Sequence, residues 1–238
     1  MLEVLSLSPC VSVKLSAAGL ALPPQIEREV DKIWHHHKSN NNAFDGTIFS
    51  IREFDENVIV GCAIAYKLWI AQQIRPELFG DLGVQPLAVT GFLRCADGVV
   101  FGRRGKDVRQ DAGLWELAPS GGVDVERVGD GETVDVIDQL LQELSEELGL
   151  CQGDVFGAFP FCMVSDSQSH VIDIAIELQS KLNAQDIHHA HRRVQSREYI
   201  DVAVVAEHDV AKFVGQLDYG VAGVSQAILE RRGLLIRS

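Results

Sequence analysis

Basic side chains are scarce in this chain. Lys and Arg number 21 against 34 Asp and Glu, for a net charge of −13. Nucleic acid and anionic membranes both need cationic surface, so neither is expected as a partner, and a polyanionic substrate would need a metal ion as mediator. Paired cysteines are lacking too. Cys10, Cys62, Cys95, Cys151 and Cys162 are odd in number and show no CxxC spacing, which argues against a zinc ribbon or a redox pair and reads as reduced thiols in a cytoplasmic protein. No apolar run reaches the ~18 to 20 residues of a membrane span. A signal peptide is not expected, because Glu3 stands where basic charge belongs and Lys14 interrupts the apolar run. Internal repeats and low-complexity tracts are missing.

What is present is the composition of a globular protein, with 46% hydrophobic and 23% charged residues. A length of 238 residues allows one large domain, or one ordinary domain with a smaller companion. LEVLSLS and VSVKLS alternate like strands, and PPQIEREVDKIWHHH spaces Ile26, Val30, Ile33 and Trp34 like a helix behind a proline start. An Asn/Asp/Gly cluster, NNNAFDG, bounds the strand-like FSI and VIV, and AYKLWIAQQI returns to helical periodicity. RPELFGDLGVQP reads as a connection, which places a domain boundary near residue 85. Stronger strands follow in LAVTGFLRC, GVVFGRR and GLWELAP, then a glycine-containing loop, SGGVDVERVGDGET, and a helix from about Val134 to Leu148 that Gly149 ends. GAFPFCMV, VIDIAIELQ and YIDVAVV read as further strands. KLNAQDIHHAHRR and the segments from about Asp209 and Val224 read as helical.

On the helix of residues 134–148, Ile137, Leu140, Leu141, Leu144 and Leu148 make an apolar stripe, while Glu143, Glu146 and Glu147 crowd the neighbouring face. Like charges at i, i+3 and i+4 repel by a few tenths of a kcal/mol per pair, so something should compensate. A solvated acidic face is the plain reading. The nearby Gly121-Gly122 pair favours another, because glycine lets backbone approach a charged ligand and convergent carboxylates suit a hard divalent cation, Mg²⁺ above all.

These residues resemble the Nudix hydrolases, whose pattern is G-x5-E-x7-R-E-U-x-E-E-x-G-U with U a bulky aliphatic residue. Glu143-Leu144-Ser145-Glu146-Glu147-Leu148-Gly149-Leu150 fits E-U-x-E-E-x-G-U at every position, and WELAPSGG is similar to the family's strand leading into the glycines. Two departures stand out. Gln142 occupies the place of the usual Arg, which orients a catalytic glutamate. The first half is stretched, with ten positions between Gly122 and Glu132 where the pattern has six, and Val134 on the literal box position of the first Glu. Glu132 and Asp135 are the candidates for that role. The resemblance covers residues 85–238. More faintly, AFDGTIFSI and AYKLW in residues 1–84 resemble the extension of the branch that cleaves UDP-sugars, which also tolerates Gln before the first metal-binding Glu.

The resemblance implies an α/β fold, a Nudix-type α/β/α sandwich with a mixed sheet over residues 85–238, preceded by a small α+β N-terminal domain over residues 1–84. It implies Mg²⁺-dependent hydrolysis, with Mn²⁺ as a substitute, of a nucleoside diphosphate linked to a group X. UDP-glucose giving UMP and sugar 1-phosphate is the leading example. ADP-ribose, NADH and dinucleotide polyphosphates are the alternatives, as is a nucleotide-binding module without turnover. Glu143, Glu146, Glu147 and the Gly121 carbonyl would hold the metal. Glu146 is the expected base, with Glu143 and Gln142 in the catalytic group and Glu198 or Asp166 as alternative bases. Arg103, Arg104, Glu116 and Gly122 are the expected substrate contacts, and a homodimer is expected because relatives dimerise. His35, His36 and His37 read as helix-end residues or equally as a metal site, and His188, His189 and His191 read as a solvated helix face ahead of a contact with the substrate's phosphate or sugar. Trp34, Trp69 and Trp115 read as core or base-stacking residues.

Overall fold

Near-continuous burial along the central strands, Leu87–Cys95 and Ile172–Ser180, sets the layers of this protein, whose computed structural model describes residues 1–41, 44–125, 128, 132–195 and 198–236. In chain order the elements are β1 (Leu2–Ser6), β2 (Ser12–Ser16), α1 (Pro24–Asn41), β3 (Thr47–Phe54), β4 (Val58–Ala65), α2 (Tyr66–Ile74) and α3 (Phe79–Leu82). There follow β5 (Leu87–Cys95), β6 (Gly98–Arg104), β7 (Trp115–Leu117), β8 (Ser120–Gly122), β9 (Thr133–Val134), α4 (Val136–Leu148), β10 (Val155–Asp166) and β11 (Ile172–Ser180). The chain closes with α5 (Ala184–His191), β12 (Tyr199–Val205), α6 (Val210–Gly215) and α7 (Gly223–Arg231). Parts of the expected Asn cluster and of the glycine-containing loop, at residues 42–43, 126–127 and 129–131, lie outside the described residues.

The larger sheet has the order β1-β10-β11-β5-β6-β12, with β7 added to β6 and β8 to β5. Its central β11/β5 pair is parallel and its other pairs are antiparallel. Side chains of a strand point alternately to opposite faces. Ile172, Ile174, Ile176 and Leu178 accordingly join one core with Leu140, Leu144 and Leu148 of α4. Ala175 joins a second core with Phe92, Phe101 and the α7 residues Ile228 and Leu229. The result is a mixed α/β architecture with helices on both faces of the sheet. The smaller sheet, β3-β4-β2-β9, is also mixed, since β2 runs parallel to β4 and antiparallel to β9.

Both sheets cross the division expected at residue 85. β1 pairs with β10, Leu2 opposite Asp166, and β2 pairs with β9, Val13 opposite Val134. Leu7, Val13, Leu15, Phe49, Ile51 and Ile59 belong to the same core as α4, while a further cluster around Val30, Ile64, Trp69 and Ile70 is built from α1, α2 and β4. Residues 1–84 therefore share a core with the rest in addition to having one of their own. Among the described residues no helix is long and apolar enough to cross a membrane.

The helix expected from Val134 starts two residues later. Asp135 is its N-cap, its carboxylate accepting hydrogen bonds from the Ile137 and Asp138 backbone N–H groups, and Val134 before it belongs to β9, paired with Val13. Gly149 ends the helix as expected, in the left-handed region at φ 69°.

Candidate active site

The short strand β8 brings the acidic helix to the sheet. It pairs with β5, Gly121 opposite Val89, and carries Ser120, Gly121 and Gly122 to the edge of a cavity of about 820 Å³. Glu143 stands so close to Gly121 that a Cβ there would fall 2.1 Å from Glu143 Oε1. Glu147 turns inward and accepts a hydrogen bond from the Ser120 backbone N–H at 3.0 Å. It is 2% exposed, and its other oxygen, Oε1, is buried without a hydrogen-bond partner. An unsatisfied buried carboxylate oxygen costs ~1 to 3 kcal/mol or more, so its presence calls for an explanation.

Glu116 is the hub of the polar wall beside them. Its Oε1 accepts hydrogen bonds from Arg104 Nη1 at 2.6 Å, Ser120 Oγ at 2.9 Å and Tyr199 Oη at 2.8 Å. Arg104 also pairs with Glu198 at 3.1 Å and donates to the Gln110 carbonyl at 3.0 Å. Burial works against the Arg104 charge, but Glu116 and Glu198 outweigh it and hold the guanidinium protonated. The acids show the opposite tendency. Burial, then Glu146 and Glu198, pushes Glu143 up to about 7. Burial and Glu198 raise Glu147 well above the usual carboxylate range, and burial raises Glu116 against the pull of Arg104. Glu143, Glu147, Glu116 and Glu198 thus share one field in which negative charge is in excess.

That chemistry fits a divalent cation. The donor set is hard carboxylate oxygen, one oxygen is orphaned, and the close approach at Gly121 admits no side chain. The expected convergence of three helix glutamates is not preformed, however. Among the described residues no group of three or more His, Cys, Asp or Glu stands close enough to hold a metal ion. Glu147 points inward to Ser120, Glu143 lies against Gly121, and Glu146 is exposed beside a separate hollow formed with Gly149 and Arg193.

No protein-family model matches the chain, and no curated protein matches it. Solved structures do. The protein DR0079 of Deinococcus radiodurans is similar over 78% of this chain and 98% of its own, at 16% identity and a TM-score of 0.50. The NUDIX domain of Shewanella oneidensis NrtR, solved with ADP ribose, matches over 64% of this chain and 90% of its own, at 18% identity and a TM-score of 0.43. A bifunctional NMN adenylyltransferase/ADP ribose pyrophosphatase of Francisella tularensis, solved with AMP and a manganese ion, matches over 70% of this chain and 47% of its own, at 14% identity and a TM-score of 0.45. At such identities the likeness is one of fold.

The remaining expected residues divide by where their side chains lie. Arg104, Glu116, Gly121, Gly122, Glu198 and Asp166 line the cavity. Arg103 does not. Its neighbour Arg104 takes the cavity face of β6, so Arg103 points to the other face and lies over the Tyr219 ring at 5.4 Å. Gln142 is exposed and donates to Asp138 Oδ2 at 3.1 Å, one turn back on the same helix. Asp166 is engaged at the β10–β11 turn, where it accepts from Gln168 N, Ser169 N and Ser169 Oγ. Asp135 serves as the cap of the helix. Trp34 packs on Tyr66 and Trp115 on Phe213, whereas Trp69 lines the cavity. Ser120, Tyr199, Thr90 and Asp173 also belong to the site or its walls, and the sequence pattern does not single them out. Ser120 has a signal in its place just before the glycine pair. Tyr199 and Asp173 arrive through long-range strand pairing and have none.

Proposed function

We propose that this protein is a Mg²⁺-dependent pyrophosphohydrolase that cleaves the diphosphate of a nucleoside diphosphate linked to a second group. The observation that carries the reading is the buried, unpartnered Glu147 Oε1 beside a Glu143 wedged against Gly121. Glu143, Glu146 and Glu147, with the Gly121 carbonyl, are the residues that would hold the cation. When bound, it supplies positive charge against the diphosphate and lowers the pKa of a coordinated water. Arg104 contributes a fixed cation to phosphate oxygens at the cavity wall, and Glu116 with Tyr199 keeps its guanidinium aimed. Glu198, paired with Arg104 across the site, or Glu146 on the helix takes the proton of the attacking water.

A nucleotide sugar such as UDP-glucose, giving UMP and sugar 1-phosphate, is the substrate that the N-terminal likeness favours. ADP-ribose, NADH and dinucleotide polyphosphates share its diphosphate chemistry. A cavity of about 820 Å³ is of the size that encloses such a ligand whole. A module that binds nucleotide without turnover is the second reading, and Gln142 in the place of the usual Arg, with the stretched first half of the motif, supports it.

Product release from UDP-sugars, ADP-ribose, NADH and diadenosine polyphosphates, with Mg²⁺ or Mn²⁺ and with EDTA, tests the proposal when products are identified by mass. Metal-dependent cleavage between the phosphates is expected. Glu147→Gln should lower turnover at least ~100-fold while the protein stays folded. Saturable nucleotide binding without cleavage, unchanged by Glu147→Gln, would instead establish the binding module.

A further inference from the structure

The cavity holds a carboxyl group that the diphosphate chemistry does not use. Asp173, on the central strand β11, is 8% exposed and lines the cavity together with Thr90 of β5. Thr90 Oγ1 donates to Asp173 Oδ1 at 3.0 Å, which fixes the carboxyl plane. Among the described residues no Lys, Arg or His pairs with Asp173, and its charged neighbours Glu116, Asp111 and Asp166 are all acids. A buried carboxyl without a cation is costly, and a hydrophobic residue of similar size would pack there more stably. The same cavity is lined by Tyr66, Trp69 and Gln73 of α2. Tyr66 and Trp69 stand 5.5 Å apart between ring centroids, which makes an aromatic wall. Trp69 Nε1 and Gln73 Nε2 both donate to the Ser169 carbonyl, at 3.3 and 2.7 Å, so that wall is tied to the β10–β11 turn. Arg104 and the glycine strand supply the phosphate-facing part, and the aromatic wall with the acidic floor is left for the organic part of a ligand.

We propose that Asp173, held by Thr90, is a specificity-determining residue that accepts a hydrogen bond from a donor on the organic part of the ligand. The inference rests on the diphosphate-hydrolase reading. The donor chemistry is shared by a sugar hydroxyl and an exocyclic amino group of a base, both of which a fixed acceptor carboxyl recognises. When ionised, this carboxyl disfavours a ligand face that presents only carbonyl oxygens. Residues 1–84 acquire a role in this arrangement, because α2 provides the aromatic wall against which the ring packs.

Substrate pairs that differ by one donor test the assignment. ADP-ribose is compared with its inosine counterpart, in which a carbonyl oxygen replaces the amino group and N1 becomes a donor, and UDP-glucose with UDP-deoxyglucoses that each lack one hydroxyl. Wild type, Asp173→Asn and Thr90→Val are measured on each with Mg²⁺. The expected result is that Asp173→Asn lowers kcat/KM by about 10- to 100-fold through KM, with kcat within about 3-fold, and that the loss disappears for the analogue missing the recognised donor. Loss of the effect on the inosine analogue assigns the amino group, and loss on a deoxy sugar assigns that hydroxyl. An equal loss across all pairs, or a fall in kcat alone, overturns the proposal. If Asp173→Asn fails to fold, Thr90→Val carries the test, with a smaller loss of the same substrate dependence expected. Silence of the wild type on every substrate sinks the hydrolase reading instead. Calorimetric binding of the same pairs to wild type and Asp173→Asn then decides the role of Asp173 separately.

Discussion

Gly121 is the residue with least freedom to change. A Cβ at this position meets Glu143 Oε1 at 2.1 Å and Cδ at 2.3 Å, so Gly121→Ala must push the glutamate away from β8. Activity is expected to fall by at least ~10-fold, with the unfolding midpoint within a few degrees of wild type, as measured by metal-titrated turnover and thermal melts. Neighbouring Gly122 is under no such constraint, since a Cβ there would meet no described atom within 4 Å. The choice of proton acceptor is also decided at this scale. Glu198 is bound to Arg104 beside the cavity, whereas Glu146 is exposed on the outer side of α4. If Glu198 is the base, Glu198→Gln lowers kcat by ~100-fold or more and Glu146→Gln acts mainly on the Mg²⁺ concentration needed for half activity. The reverse pattern assigns the base to Glu146.

At the scale of elements, α4 shows what sequence can reveal. Its apolar stripe, its acidic face and its glycine stop follow from local spacing, and the structure has each of them. Its start lies later than local spacing predicts because Thr133 and Val134 pair with β2, a partner more than a hundred residues away in the chain. The same holds for the site. Glu143, Glu147 and Gly121 are legible as a motif, whereas Tyr199 and Asp173 enter through the β12/β6 and β11/β5 pairings, which leave no mark in local sequence. Arg103 and Arg104 cannot be told apart without knowing which face of β6 turns to the cavity. Asp135 has a local role that can be measured. Asp135→Ala removes the cap that accepts from Ile137 and Asp138, and chemical denaturation is expected to show a loss of ~1 kcal/mol.

For the whole molecule, the excess of buried acid sets how stability depends on pH. Burial pushes Asp173 up to about 7 and Glu143 likewise to about 7, while unfolded carboxyls titrate near pH 4. Between those values the folded state holds protons that the unfolded chain releases. The associated stability is therefore complete below about pH 4 and is lost as pH rises through 7. Without added metal, the thermal midpoint is expected to be lower at pH 8 than at pH 5.5. Asp173→Asn should flatten that slope, and Mg²⁺ should raise the midpoint most at the alkaline end. A midpoint that rises with pH in the absence of metal would contradict the burial of these groups.

The pairing of β1 with β10 has a consequence for how the protein is made. Leu2 lies opposite Asp166, so β1 has no place in the larger sheet until residues 162–166 have been synthesised. At ~5 to 20 residues per second, that wait is roughly ten to thirty seconds. During it Val4 and Leu5, which pack on the two cores of the finished protein, have no sheet to cover them. Closing the sheet at this edge is thus a late event in biosynthesis, and nascent chains stalled before β10 are the ones in which a chaperone would find β1 still exposed.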